Sequence, residues 1–138
     1  MLVNETHFTF GLGCAGNPFL GAVTKNGFGY PKNEFGFTNW AGFGYTWIFG
    51  IPSDEEIRNA IKTIKTEYGE DIKAYELPKL VRQEIRKGVA NYFTAGTVYL
   101  ILPLNFEYGW MWYSDNVRFR CGLGLPILIA FGINCDFQ

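Results

Sequence analysis

The chain has 138 residues and a formal net charge of −1. That length suits one domain, residues 1–138, with a buried core, and the charge lacks the basic excess that would recruit nucleic acid. An aromatic share of 18% and 17 glycines, beside only 18% charged residues, describe a β-rich folded chain and exclude a disordered one.

Phe8, Phe10, Leu12 and Cys14 occupy alternate positions, the period of a strand with one apolar face. Residues 1–5 lack a basic start and the apolar stretch after them is short and glycine-rich, so no export signal is read there. Asn17 and Pro18 predict a turn, residues 19–24 a short strand, and Lys25-Asn26-Gly27 an Asn-Gly hairpin. A long alternation follows. Phe35, Phe37, Ala41, Phe43, Tyr45, Trp47, Phe49 and Ile51 share one parity, opposite a set that includes Gly36, Gly42, Gly44, Thr46 and Gly50.

The period then changes. Ser53, followed by Asp54, Glu55 and Glu56, predicts a capped helix start whose acids suit the positive helix end. Ile57, Ala60, Ile61, Ile64 and Tyr68 form its apolar stripe, and Gly69 its stop. A second helix is expected over residues 76–93, with the stripe Leu77, Leu80, Val81, Ile85, Val89 and Tyr92. Most of the chain's charges fall in this insert, residues 53–93. Alternation resumes with Val98, Leu100, Leu102, Leu104, Phe106, Tyr108, Trp110 and Trp112, then with every second residue from Val117 to Phe137. That tail is too long for an ordinary strand of about five or six residues, and a break is expected between Leu123 and Pro126. Cys14, Cys121 and Cys135 lie on the apolar parity of their segments and are expected as buried thiols acting as small hydrophobes. Their spacing is not that of a zinc site.

Residues 6–24, 35–53, 88–106 and 121–135 contain no Asp, Glu, Lys or Arg. Crossing a membrane as helices would suit three of these lengths, but the period is 2 and glycine recurs throughout, at a cost of about 1 kcal/mol per residue in a helix. The apolar parity also grades from aliphatic to aromatic, as in Leu100, Leu102, Leu104, Phe106, Tyr108, Trp110 and Trp112. In this pattern the chain resembles bacterial outer-membrane β-barrel proteins, whose strands turn apolar side chains outward and small or polar ones inward, between aromatic girdles.

The resemblance implies a mainly β fold: an antiparallel transmembrane-type β-barrel with a two-helix insert between strands. It implies a lipid bilayer as partner and a bacterial outer-membrane location. The role would be structural, a small-solute pore, or apolar-ligand binding in the lumen. Trp47, Tyr108, Trp110 and Trp112 would be interface aromatics, because such rings favour the headgroup level. Glu107, Arg118, Arg120 and Asp136 are the charges on the inward parity, hence candidates for the lumen or a pathway through it. Glu107 and Arg118 would meet across a hairpin turning near Ser114. A single-chain barrel needs at least eight strands. Either the long segments break into hairpins, or a homo-oligomer shares one barrel. The insert could sit in the lumen near Gly42 or Gly44. The alternative is a soluble α+β domain with both helices packed on an antiparallel sheet, binding an apolar ligand or a partner protein.

No convincing catalytic constellation is present. His7 is the one histidine, Ser53 reads as a cap and Ser114 as a turn residue. The glycine string of residues 11–16 is followed by no βαβ unit. An enzyme is therefore not expected, nor a cofactor or a metal.

Overall fold

The structure is a computed structural model that describes residues 3–13, 18–37, 42–69, 71–85, 88–97, 104–114, 116–125 and 129–137. Eight antiparallel strands close into a barrel in chain order: β1 (Asn4–Gly13), β2 (Pro18–Asn26), β3 (Pro31–Phe37), β4 (Phe43–Phe49), β5 (Val89–Thr97), β6 (Leu104–Tyr113), β7 (Val117–Leu125) and β8 (Ala130–Phe137). Two helices, α1 (Asp54–Tyr68) and α2 (Leu77–Ile85), stand between β4 and β5. The long alternating segments do break into hairpins, the tail into β7 and β8. Pairing of β1 with β8, from Phe8 opposite Phe137 to Gly13 opposite Gly132, closes the barrel within one chain. No strand from a second copy is needed to complete it. Cys14, Asn17, Ala41, Pro103 and Pro126 fall outside the described residues.

Alternation fixes which face is which. Along β6 the burial pattern alternates strictly, with Leu104, Phe106, Tyr108, Trp110 and Trp112 exposed and Asn105, Glu107, Gly109, Met111 and Tyr113 buried. The conspicuous apolar parity is thus the outer wall. This corrects the expectation for the cysteines: Cys135 is exposed and Cys121 half-buried, because both lie on a parity that faces out.

The α1 start is built as the sequence predicts. Ser53 Oγ accepts from the Glu56 N–H at 3.2 Å, and the Glu56 carboxylate accepts from the Ser53 N–H at 2.8 Å. At the other end Gly69 adopts φ +83° and its N–H reaches the Lys65 carbonyl at 3.0 Å. The second helix departs from the expected bounds. It ends at Ile85, and Val89–Phe93 belong to β5, so the 53–93 insert is too long by its last residues. Val81, Ile85 and Val89 fit a helical stripe, but Val89, Asn91 and Phe93 also alternate with buried Ala90, Tyr92 and Thr94. Ladders to β4 and β6 on both sides decide in favour of the strand.

The helices do not enter the lumen. Ile57, Ala60, Ile64 and Val81 pack with Tyr30, Ile48, Ala90, Tyr92, Met111 and Tyr113, which lie where the β2–β3 loop, β4, β5 and β6 meet at one end of the barrel. Gly44, which with Gly42 marks the expected plug site, pairs with Gly36 and Gly96 at the opposite end. The insert is a cap, and the apolar core lies beneath it. Asn26 shapes the adjoining loop: its Oδ1 accepts from Phe28 N–H at 3.1 Å and Tyr30 N–H at 3.0 Å, and Gly29 takes φ +83°. Burial raises the Tyr30 phenol above its usual value, opposed by the Arg82 guanidinium of α2.

Two cross-strand glycine pairs bring the wall's backbones unusually close. A Cβ on Gly36 would stand 2.6 Å from Gly21 Cα, and one on Gly109 would overlap Gly122 Cα and the Cys121 carbonyl. These pairs join β2 to β3 and β6 to β7, four strands apart and so on opposite sides of the barrel. Because the obstacle is backbone, Gly109→Val is expected to destabilise the barrel by about 2–3 kcal/mol. Gly88→Ala, whose Cβ would meet nothing nearer than 3.7 Å, serves as the control with a near-zero change. Urea unfolding midpoints compared at constant slope measure both.

Candidate functional site: a charge network across the lumen

The sequence-predicted charges all point into the barrel. Glu107, Arg118, Arg120 and Asp136 are buried on inward positions of β6, β7 and β8. Lys25 of β2 and Glu34 of β3 join them. Arg118 is the hub. Its Nη1 donates to Glu34 Oε2 at 2.8 Å, and its Nε donates to Asp136 Oδ1 at 3.2 Å. Asp136 also takes Lys25 Nζ, while Glu34 Oε1 accepts from Asn134 Nδ2 at 3.2 Å. Arg120 Nη1 stands 4.0 Å from the Glu34 carboxylate. The Tyr92 ring centre lies 5.9 Å from Arg120 Cζ, and the Tyr92 hydroxyl donates to Glu107.

Two geometric facts follow. β3 and β7 are four strands apart in an eight-stranded closed order, so the Arg118–Glu34 pair is a strut across the lumen. The network is also balanced, because Lys25, Arg118 and Arg120 face Glu34, Glu107 and Asp136. Burying ions costs several kcal/mol each unless partners and hydrogen bonds compensate. A neutral, cross-linked set is the arrangement that limits that cost. Beside it Thr46 and Thr94 share a 2.7 Å hydrogen bond. The cavity between Glu34, Thr46, Thr94 and Arg120 measures about 20 Å³, room for roughly one water. At this level the described side chains of the network span the lumen.

The expected Glu107–Arg118 contact does not form. In the β6–β7 register Glu107 faces Gly124, and Arg118 faces Tyr113. A Glu107–Arg118 pair needs a hairpin centred near residue 112.5, and the register that sets Tyr113 opposite Arg118 is centred about three residues further along the chain, which leaves Glu107 to Tyr92.

The four aromatics named from sequence all stand on the outer wall. Trp47, Tyr108, Trp110 and Trp112 are 43–50% exposed. Two of them, Trp47 and Trp112, make ring contacts with neighbours on that wall. Tyr45 packs edge-on to Trp47 at 4.8 Å, Trp47 stacks on Phe93 at 5.8 Å, Phe93 on Phe106 at 6.2 Å, and Trp112 lies 5.5 Å from Phe119.

No family model, curated protein or solved structure matches this chain. The site therefore stands on its own geometry. Sequence reasoning missed Lys25, Glu34 and Tyr92. Lys25 reads as part of the Asn-Gly turn, and Tyr92 as the end of a helical stripe. Glu34 carried a usable signal: it shares the parity of Gly36, opposite Phe35 and Phe37, which places it inside as soon as that strand is extended backward.

Proposed function

We propose that this chain is a membrane-spanning β-barrel of the bacterial outer-membrane type, with a structural, anchoring role that presents the two-helix cap at one membrane face. One observation carries the reading. Among the described residues no strand turns an Asp, Glu, Lys or Arg onto the outward parity, while the charged strand residues lie on the inward one. Glu5 and Lys32, outside the network, share that inward parity at the capped end. A barrel in water has the opposite sense, with apolar groups inside. Phe8, Leu20, Phe35, Phe106, Leu123 and Ile133 are 41–69% exposed, a far larger apolar surface than a water-soluble monomer carries. Closed barrels and helices are the two backbones that satisfy every peptide group in lipid. No helix among the described residues is long and apolar enough to cross a membrane, so the crossing elements would be strands. The ten residues of β1 and of β6 match the roughly 9–11 that a tilted transmembrane strand needs.

The strut across the lumen favours the structural role over a pore. An eight-stranded barrel has an interior that side chains can fill, and the Arg118–Glu34 strut crosses it here. The test is reconstitution of the full chain into phosphatidylcholine vesicles carrying brominated acyl chains. Tryptophan fluorescence is expected to be strongly quenched relative to unbrominated vesicles, with no ion conductance across a planar bilayer. A chain that stays monomeric and folded at high concentration in detergent-free buffer overturns the reading.

A further inference from the structure

The cap sorts its charges by side. On α1, Arg58, Lys62 and Lys65 are all exposed. At about 100° per residue they fall within one arc, roughly 120–180° round the helix from Glu56. The stripe of Ile57, Ala60 and Ile64 is buried against the barrel end. Glu56 and, from α2, Arg82 both lie within electrostatic reach of the Tyr30 phenol, so α2 borders the Glu56 side of α1. The three cations therefore stand on the flank turned away from α2.

Folding of the helix does not account for that flank. Among the described residues none of the three is ion-paired. Spacings of four residues from Arg58 to Lys62 and three from Lys62 to Lys65 set like charges side by side, which disfavours a helix. Lys65 suits the negative helix end, but Arg58 and Lys62 lie too far from it to gain.

On the membrane reading, the flank stands near the level where a bilayer carries its phosphates. Trp47 lies two residues from the capped end of β4, and Trp110 and Trp112 lie three and one from that of β6. Such exposed rings favour the headgroup zone, and α1 begins five residues beyond Phe49. Tyr68 ends α1 and Tyr75 lies in the loop to α2, 63% and 71% exposed. Lys73 Nζ stands 5.7 Å over the Tyr75 ring. Rings and stems with polar tips suit the same zone.

We infer that the Arg58–Lys62–Lys65 flank docks the phosphates of anionic lipid headgroups around the capped end and so ties the cap to the bilayer surface. The inference rests on the membrane reading above. Basic residues are drawn to an anionic leaflet within a Debye length of it, and three on one helix flank act together. An acidic segment of a soluble protein would meet the same charges but would draw nothing from the interfacial rings beside them.

The experiment reconstitutes the full chain into vesicles of phosphatidylcholine alone and of equimolar phosphatidylcholine and phosphatidylglycerol. Amide exchange over residues 57–68 is expected to slow about tenfold in the anionic vesicles. The difference is expected to vanish in about 1 M salt, where the Debye length falls to about 3 Å. The combined variant Arg58→Gln, Lys62→Gln and Lys65→Gln is expected to exchange alike in both lipids, whereas Arg58→Lys, which keeps the charge, preserves the difference. Three results would each overturn the proposal while quenching by brominated lipid still holds. They are exchange indifferent to phosphatidylglycerol, a difference that survives in the combined variant, and stronger protection by soluble polyglutamate added to phosphatidylcholine vesicles. Absence of that quenching would overturn the membrane reading and this proposal with it.

Discussion

Arg118→Met is expected to lower the stability of the barrel by about 3–5 kcal/mol, the cost of breaking a buried ion pair by removing one partner. Methionine replaces much of the volume, so the loss is electrostatic rather than steric. Arg118 is 1% exposed and holds two carboxylates at once, Glu34 at 2.8 Å and Asp136 at 3.1 Å. Without it three buried carboxylates face two cations. Lys25 still neutralises Asp136, whereas Glu34 keeps Asn134 and a distant Arg120. The imbalance therefore falls on Glu34. Adding Glu34→Gln restores neutrality and is expected to recover about 1–2 kcal/mol, a coupling of the size measured between contacting residues. Equilibrium unfolding in urea of the parent, both single variants and the double variant closes the cycle. A single Arg118→Met change costing under about 1 kcal/mol would mean that the strut is solvated.

The parity of the strands was legible in the sequence; the number of strands was not. Phe37 and Phe43 face outward from β3 and β4, and Leu125 and Ile129 hold one parity on either side of residues 126–128. When the alternation keeps its phase across a turn, it gives no mark where one strand stops. Between Thr97 and Leu104 the outward parity does flip, from odd to even positions, but a second helix read over residues 76–93 takes in the first half of β5 and hides the flip. Its outward residues, Val89, Asn91, Phe93, Ala95 and Thr97, are too mixed to announce a strand. Charge placement was legible for the same reason as parity: Glu107, Arg118, Arg120 and Asp136 sit between large apolar residues, so their inward direction follows. Their partners were not. A hairpin rule relates only neighbouring strands, and Arg118 finds Glu34 on the far wall, 84 positions away in the chain. Closure of the barrel creates that contact, and closure is a property of all eight strands together.

The size of one substitution's effect separates a lipid-facing wall from a water-facing one. Ile133 is 50% exposed at the middle of β8, outward between Leu12 of β1 and Phe119 of β7. If water surrounds it, Ile133→Arg replaces an exposed apolar group by a charge and changes stability by no more than about 0.5 kcal/mol. If hydrocarbon surrounds it, as proposed, the same change is expected to cost about 2–4 kcal/mol. Depth supplies the internal control. Val117 is 44% exposed on the same wall but opens β7 at the capped end, where an arginine can reach the interface and should cost only about 0–1 kcal/mol. The ratio between the two positions, measured by reversible urea unfolding from phospholipid vesicles, is the informative quantity. A general loss of packing would strike both positions alike. A bilayer penalises the central position selectively, because only there is the guanidinium too far from water to be rescued by extending its side chain.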